Sequence, residues 1–235
     1  MKVIILAGGF GTRFGKMTTT KPKPMIKIGK FPILIHIIKY FKSYGLNEFY
    51  IALGYKGEII KKYFKKTKIK DIKIQLVETG LNTMTGGRLK KFEKLISDEN
   101  FILTYGDGLS NVNIKKLVSF HKKHKKISTV TAVHPPGRFG NLDISNKNNI
   151  ITSFNEKHQL TESWINGGFF VFNKKIFNYL NSSKTILELD PMKNLTKKKQ
   201  LIAFKHEGFW QCMDTLREKN YLEKLWKKNP VWKRW

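Results

Sequence analysis

Cysteine, proline, arginine and acidic residues are all scarce in this sequence. A single Cys, Cys212, stands among 235 residues, so no internal disulfide can form and a disulfide-stapled secreted scaffold is excluded. The lone thiol agrees with a reducing compartment and reads as a small buried side chain. Seven prolines mark no Pro-rich linker, and no repeat of about 20 to 50 residues divides the chain. No apolar run approaches the roughly 18 residues of a membrane span. The N-terminus passes from Lys2 straight into Val3-Ile4-Ile5-Leu6, too short for the apolar segment of a secretory signal. These absences predict a cytoplasmic chain with no membrane partner.

Acid is outnumbered, with 17 Asp and Glu against 45 Lys and Arg, giving a net charge of +28. Such a charge draws polyanions through counterion release. Yet only five of the basic residues are Arg, at positions 13, 88, 138, 217 and 234, and the rest are Lys spread along the whole chain. Base-reading and phosphate-clamping sites favour the planar fork of Arg. The balance therefore predicts no specific nucleic-acid partner.

What is present is the composition of a folded chain, 40% hydrophobic and 13% aromatic, long enough to bury about 70 to 75% of its unfolded surface. One domain over residues 1–235 is the simplest organisation. Strand patterns at residues 1–6, 48–53, 72–77, 101–104 and 128–133 alternate with helical patterns at 32–44, 57–65, 87–95 and 113–124. That alternation predicts an α/β fold with βαβ units and a mainly parallel sheet. Beyond Pro136 shorter β pieces follow, near Leu142, at 150–154 and at 165–172, then a strand at 201–206 and a C-terminal helix from Thr215. The first half, residues 1–135, is expected to hold a nucleotide, and residues 136–235 to shape a smaller pocket.

The chemistry starts at "AGGFGTRFG", residues 7–15, directly after the first strand. No Gly-Lys-Ser or Gly-Lys-Thr occurs anywhere, so a Walker A loop is excluded. The dinucleotide fingerprint fails too, because Phe14 stands where its third glycine belongs. A glycine loop at the carboxyl edge of an α/β sheet still presents backbone N–H groups to an anion. "KPKP" follows at 21–24, and its prolines predict a stiff, strand-like segment carrying Lys21 and Lys23. Alone it reads as a charged surface turn; beside the glycine loop it reads as a point charge aimed at phosphate. Asp107 in "TYGDG" and Asp214 in "FWQCMD" each close an apolar segment. Two such acids suffice to hold Mg²⁺ on a nucleotide, although a turn or a helix N-cap explains each one singly, Asp214 especially.

The motifs "LAGGFGTRFG", "KPKPM", "TMTGGRL", "LTYGDG", "TAVHPPGRFG", "WINGGFFV" and "HEGFWQCMDTLREKNYLEKLW" together resemble the bacterial glucose-1-phosphate cytidylyltransferases, a branch of the sugar nucleotidyltransferases, and the resemblance runs from Met1 to Trp235. It implies a Rossmann-like mixed sheet of the nucleotide-diphospho-sugar transferase type with a small β-rich sugar-binding part. It further implies CTP and α-D-glucose 1-phosphate as substrates, CDP-glucose and pyrophosphate as products on the way to dideoxyhexoses of surface polysaccharide, Mg²⁺ as cofactor and a homo-oligomeric assembly.

Carried over residue by residue, the resemblance implies that Leu6, Ala7, Gly8, Gly9, Phe10 and Gly11 cradle the nucleotide, while Thr12 and Arg13 meet the departing phosphates. It implies Lys23 and Arg13 as catalytic residues, Thr83, Arg88 and Gly106 as nucleotide contacts, Asp107 and Asp214 as the metal pair, and Lys157, Asn166 and Gly167 on the sugar phosphate. Uridylyl- or thymidylyltransferases would share most of these parts, and a nucleotide-sensing homologue without turnover would keep the fold. The chain departs from the family in a shortened segment, "KKTKIKDIKIQL" at 65–76, and in His158 where a Pro commonly follows the Glu-Lys pair. Outside this set, His121 and His124 read as a solvated helix face rather than a metal pair. Trp226, Trp232 and Trp235 read either as an interface or as packing of the C-terminal tail.

Overall fold

The computed structural model describes residues 1–137, 141–145, 148–155 and 163–235. The chain runs through β1 (Val3–Leu6), β2 (Lys27–Ile28), β3 (Phe31–Pro32), α1 (Ile33–Lys42), β4 (Glu48–Leu53), α2 (Gly57–Lys66), β5 (Lys73–Glu78), α3 (Thr85–Lys90), β6 (Asn100–Tyr105) and β7 (Gly108–Ser110). It continues with α4 (Ile114–His124), β8 (Ser128–Val133), β9 (Asn141–Ile144), β10 (Ile151–Asn155), β11 (Ile165–Asn173), α5 (Asp190–Lys197), β12 (Leu201–His206), β13 (Trp210–Cys212) and α6 (Leu216–Lys228). Seven strands form one sheet in the order β12-β8-β11-β6-β1-β4-β5. The neighbours of β1 and β4 pair in parallel, as does β12 with β8, whereas β11 pairs antiparallel with both β6 and β8. The sheet is therefore mixed and mainly parallel, with β11 alone running against the other six.

Each face of the sheet is covered. On β1, Val3 and Ile5 join one buried cluster with Ile37, Phe41 and Phe49, while Ile4 and Leu6 join a second with Leu89, Phe101 and Phe170. A strand apolar at every position is what burial on both faces requires. The C-terminal tail closes the first cluster: Trp232 is fully buried, stacks on Phe209 at 5.6 Å between ring centroids and donates its Nε1 hydrogen to His36 Nδ1 at 3.2 Å. For Trp232 this is the packing of the tail on its own chain, one of the two readings of the tryptophans; Trp226 and Trp235 stay half-buried.

Three expectations need correction. Lys23 lies in a short 3-10 turn, Lys23–Met25, and not on an extended strand; Pro22 before the turn and Ile26 after it are extended. The helix expected at 87–95 starts two residues earlier and stops at Lys90. Its start is set by Thr85, whose side chain is held by the 187–188 segment, and its end tightens into successive three-residue bonds, Phe92 N to Leu89 O and Leu95 N to Phe92 O. His121 is no solvated side chain: it is 2% exposed and bonded to Thr129 Oγ1 at 2.8 Å and Asn100 Oδ1 at 3.1 Å. Helix α5 was not foreseen: it is only eight residues long, carries a proline in its first turn and buries only Pro191 and Leu195, one turn apart.

β9 and β10 pair as a separate antiparallel ribbon outside the main sheet. Among the described residues, no helix is long and apolar enough to cross a membrane.

Candidate active site

Sheet topology gathers the site at one edge. β1, β4 and β6 end there, and the loops that follow them carry the glycine run, Gly54 and the Gly106-Asp107 turn. β11 runs the other way, so Asn166 and Gly167 begin a strand at the edge where the others finish. Antiparallel pairing of β7 with β13 then sets Cys212 beside Gly108, and the Met213 amide donates to the Asp107 carbonyl at 2.9 Å. That short ladder brings together two acids 107 residues apart in the chain.

Lys23 is the hinge of the arrangement. Its Nζ donates to Asp107 Oδ2 at 2.6 Å and also to Asp214 Oδ1. Burial opposes the charged form of this lysine, yet Asp107 and Asp214 outweigh it and hold the pKa above the ordinary 10.5. Arg13 Nη1 meets the other oxygen of Asp214, Oδ2, at 2.7 Å. The two cations differ in freedom: the Arg13 side chain is 75% exposed and that of Lys23 only 10%.

Asp214 does not cap the following helix. Thr215 is the N-cap of α6, and Glu218 completes a reciprocal capping box with it. Glu218 Oε2 also accepts from the Asp214 amide at 2.6 Å, so the cap braces the Asp214 backbone and leaves its carboxylate to the site. Cys212 is half-buried, not fully buried as the sequence suggested; its Sγ lies 3.8 Å from Asp214 Oδ2. Burial and that carboxylate push the thiol up to about 12, which makes it a poor nucleophile.

Residues 6–13, Lys23, Thr83, Arg88, Gly106 and Asp107 all line one cavity of about 630 Å³. Arg88 shapes its floor. The guanidinium, 5% exposed, donates from Nη1 to Leu53 O, Thr79 Oγ1 and Gly80 O, and from Nη2 to Gly8 O and Leu81 O, at 2.6 to 3.1 Å. Burial lowers its pKa. Gly8 has no room for a side chain beneath this group, since a Cβ would lie 2.4 Å from Arg88 Nη1 and 2.8 Å from the Gly54 amide nitrogen. Arg88 thus ties three loops into one wall.

Asn166, Gly167 and Asp214 are not among the residues that line this cavity. Asn166 is joined to it through Tyr105, a lining residue, donating from Nδ2 to Tyr105 Oη at 3.3 Å, and the Trp210 Nε1–H donates to the Gly167 carbonyl at 2.6 Å. Lys157, Arg138 and His158 lie outside the described residues. Glu188 and Tyr105 were missed by sequence reasoning: Tyr105 stands two residues before Asp107 and donates its hydroxyl hydrogen to Glu188 Oε1. The signal for Tyr105 was its place at the end of an apolar strand next to "GDG". Glu188 had none, because its partners lie 83 and 103 residues away.

Among the described residues no group of three or more His, Cys, Asp or Glu could hold a metal ion. The pair Asp107 and Asp214 nevertheless fits a hard divalent cation, because two carboxylates already converge on a single positive charge. A cation such as Mg²⁺ takes one or two carboxylates and fills its shell with phosphate and water oxygens.

The Nucleotidyl transferase family matches this sequence over residues 2–223. The chain belongs to the nucleotidyl transferase family. Within that family, proteins named glucose-1-phosphate cytidylyltransferase from Salmonella typhimurium and Salmonella typhi are each 43% identical over 258 residues, covering 100% of this chain and 100% of theirs. The aligned length exceeds 235, so these nucleotidyl transferases carry residues that this chain lacks. Among solved structures, HddC from Yersinia pseudotuberculosis superposes with a TM-score of 0.77 at 27% identity, covering 96% of this chain and 99% of that one.

Proposed function

We propose that this chain transfers a cytidylyl group from CTP to α-D-glucose 1-phosphate, forming CDP-glucose and pyrophosphate. The observation that carries this reading is Lys23 Nζ bridging Asp107 and Asp214 at the cavity that the glycine loop lines. Residues 1–135 take the nucleotide, and residues 136–235 supply the sugar side.

In the reaction a sugar-phosphate oxygen attacks the α-phosphorus in line with the departing pyrophosphate. One P–O bond forms as another breaks, and no covalent enzyme intermediate is required. The attacking oxygen already carries charge at neutral pH, so the site needs no general base; positioning and charge neutralisation carry the rate. Asp107 and Asp214 would hold Mg²⁺, which would supply neutralisation of phosphate charge. Lys23, buried and fully charged, presents a fixed cation toward the phosphates. Arg13, exposed and hinged on the glycine loop, moves from Asp214 to the leaving phosphates. Backbone N–H groups of the loop complete the cradle. Asn166 and the Gly167 backbone orient the sugar phosphate. Cytosine is told from uracil by one exocyclic amine against one carbonyl, a distinction that hydrogen-bonding groups near Thr83 can make.

The test is pyrophosphate release with glucose 1-phosphate and each of CTP, UTP, dTTP, ATP and GTP, with and without Mg²⁺. Turnover that prefers CTP and requires the metal is expected. A preference for UTP or dTTP overturns the base assignment, and silence with all five overturns the reaction.

A further inference from the structure

Glu188 lies behind the cavity wall, bonded to two residues that line it, Thr85 and Tyr105, and both of its oxygens face hydroxyl groups. Oε1 accepts from Tyr105 Oη, and Oε2 accepts from Thr85 Oγ1 at 2.6 Å. Thr85 is fixed in turn, because its Oγ1 accepts from the Leu187 amide at 2.9 Å. On the far side, Tyr105 Oη accepts from Asn166 Nδ2 at 3.3 Å, and Asn166 Oδ1 accepts from the Gly168 amide at 2.8 Å. The Tyr105 ring is seated against β11: Gly168 has φ +78°, and a Cβ there would lie 2.4 Å from Tyr105 Cδ2.

The polarity of this chain of bonds is set by its one charged member. An ionised carboxylate only accepts, so both hydroxyls must point their hydrogens at Glu188. Tyr105 Oη then has only its lone pairs left for Asn166, and the Asn166 amide must present nitrogen, not oxygen, to it. With Oδ1 held by Gly168, the second Nδ2 hydrogen is the group that remains to meet a ligand. A donor suits a phosphoryl or sugar oxygen.

We propose that Glu188 is a positioning residue for the sugar 1-phosphate: through Tyr105 it orients the Asn166 amide as a donor, and through Thr85 it locks that orientation to the start of the helix that carries Arg88. This rests on the reaction assigned above. It makes sugar recognition depend on a residue that need not touch the sugar.

Glu188→Gln tests the polarity while keeping the volume. Its single carbonyl can accept from only one hydroxyl, and its NH₂ must donate to the other. Tyr105→Phe removes the link and keeps the ring. Each variant is expected to raise KM for glucose 1-phosphate about tenfold, with kcat and KM for CTP changed less than about twofold. The double variant should lose no more than the worse single one, because one relay is broken once. Tryptophan fluorescence titrations with CDP-glucose and with CTP give the binding readout: CDP-glucose should weaken about tenfold and CTP should hold. Thermal unfolding midpoints near wild type exclude misfolding as the cause, and Thr85→Val provides a second route to the same phenotype if Glu188→Gln folds poorly. Equal losses for CTP and CDP-glucose, or fully additive losses in the double variant, overturn the relay. If wild-type protein binds neither compound, the reaction assignment falls as well. If it binds both and no variant changes either affinity, only the positioning role falls.

Discussion

Arg88 Nη2 donates to the Gly8 carbonyl at 2.9 Å across 80 residues of chain, so the glycine loop takes its shape from an arginine on α3. The same guanidinium reaches four other acceptors. Lysine has three donors on one atom and cannot span five acceptors in a plane. Arg88→Lys is expected to raise KM for CTP about tenfold or more and to lower stability by about 1 to 3 kcal/mol through unpaired buried carbonyls. Steady-state kinetics together with urea unfolding would check it, and unchanged values for both would show that the loops hold their shape unaided.

Lys23 and Arg13 share Asp214 but should separate under mutation. Replacing either with Ala removes a cation from the proposed triphosphate site and should lower kcat by about a hundredfold or more. Arg13 is mostly exposed, and its ion pair contributes little to stability, so Arg13→Ala should unfold within about 0.5 kcal/mol of wild type. Lys23→Ala leaves two neighbouring carboxylates without their cation and should unfold earlier than wild type. Urea denaturation of both variants beside single-turnover rates would reveal the split.

Glu218 accepts from both the Asp214 and Thr215 amides, at 2.6 and 2.9 Å. Removing it with Glu218→Ala should cost about 1 kcal/mol, the usual worth of a cap. It should also raise the Mg²⁺ concentration needed for half-maximal rate, because the backbone under one of the two acids is loosened. Glu218→Gln, which still accepts, should recover most of both. A Mg²⁺ titration that is identical in wild type and Glu218→Ala would separate the cap from the metal pair.

His36 is fully buried, donates from Nε2 to the Ile28 carbonyl at 2.9 Å and accepts at Nδ1 from Trp232. Burial pushes its pKa down from 6.5 to about 4. A histidine whose folded value lies below its unfolded value binds its proton first in the unfolded chain. Stability is therefore complete above pH 6.5 and falls as pH drops from 6.5 toward 4, by about 3 kcal/mol from this group. Urea unfolding between pH 7.5 and 4 should show that decline, and His36→Gln, with nothing to titrate there, should show a shallower one.

The alternation of short apolar strands with amphipathic helices was enough to read the parallel half of the sheet, since β1, β4 and β8 are buried segments whose periodicity survives in the chain. The glycine loop, Lys23, Asp107 and Asp214 were legible as chemistry because each sits at the end of such a strand or next to a proline. Less was legible where partners are remote. Whether Asp214 capped a helix or faced the site depended on Thr215 and Glu218 taking the cap, a competition that residue types alone leave undecided. The turn at Lys23 was misread because a Pro on each side favours extended backbone, whereas packing of Lys23, Pro24 and Met25 into the interior imposes a 3-10 turn. Glu188 came from tertiary pairing with no local pattern, whereas Tyr105 had one, its place at the end of β6 before Gly106-Asp107.

β11 gives the fold one further property. Because β8 ends and β11 begins at the same edge of the sheet, their antiparallel pairing makes the excursion between them one that needs no crossover. Doubling the length of such an excursion costs only about 0.6 kcal/mol in closure entropy, and no neighbouring strand has to change register. Length in that connection is therefore cheap to gain or lose, while the strand order that brings Lys23, Asp107 and Asp214 together stays as it is.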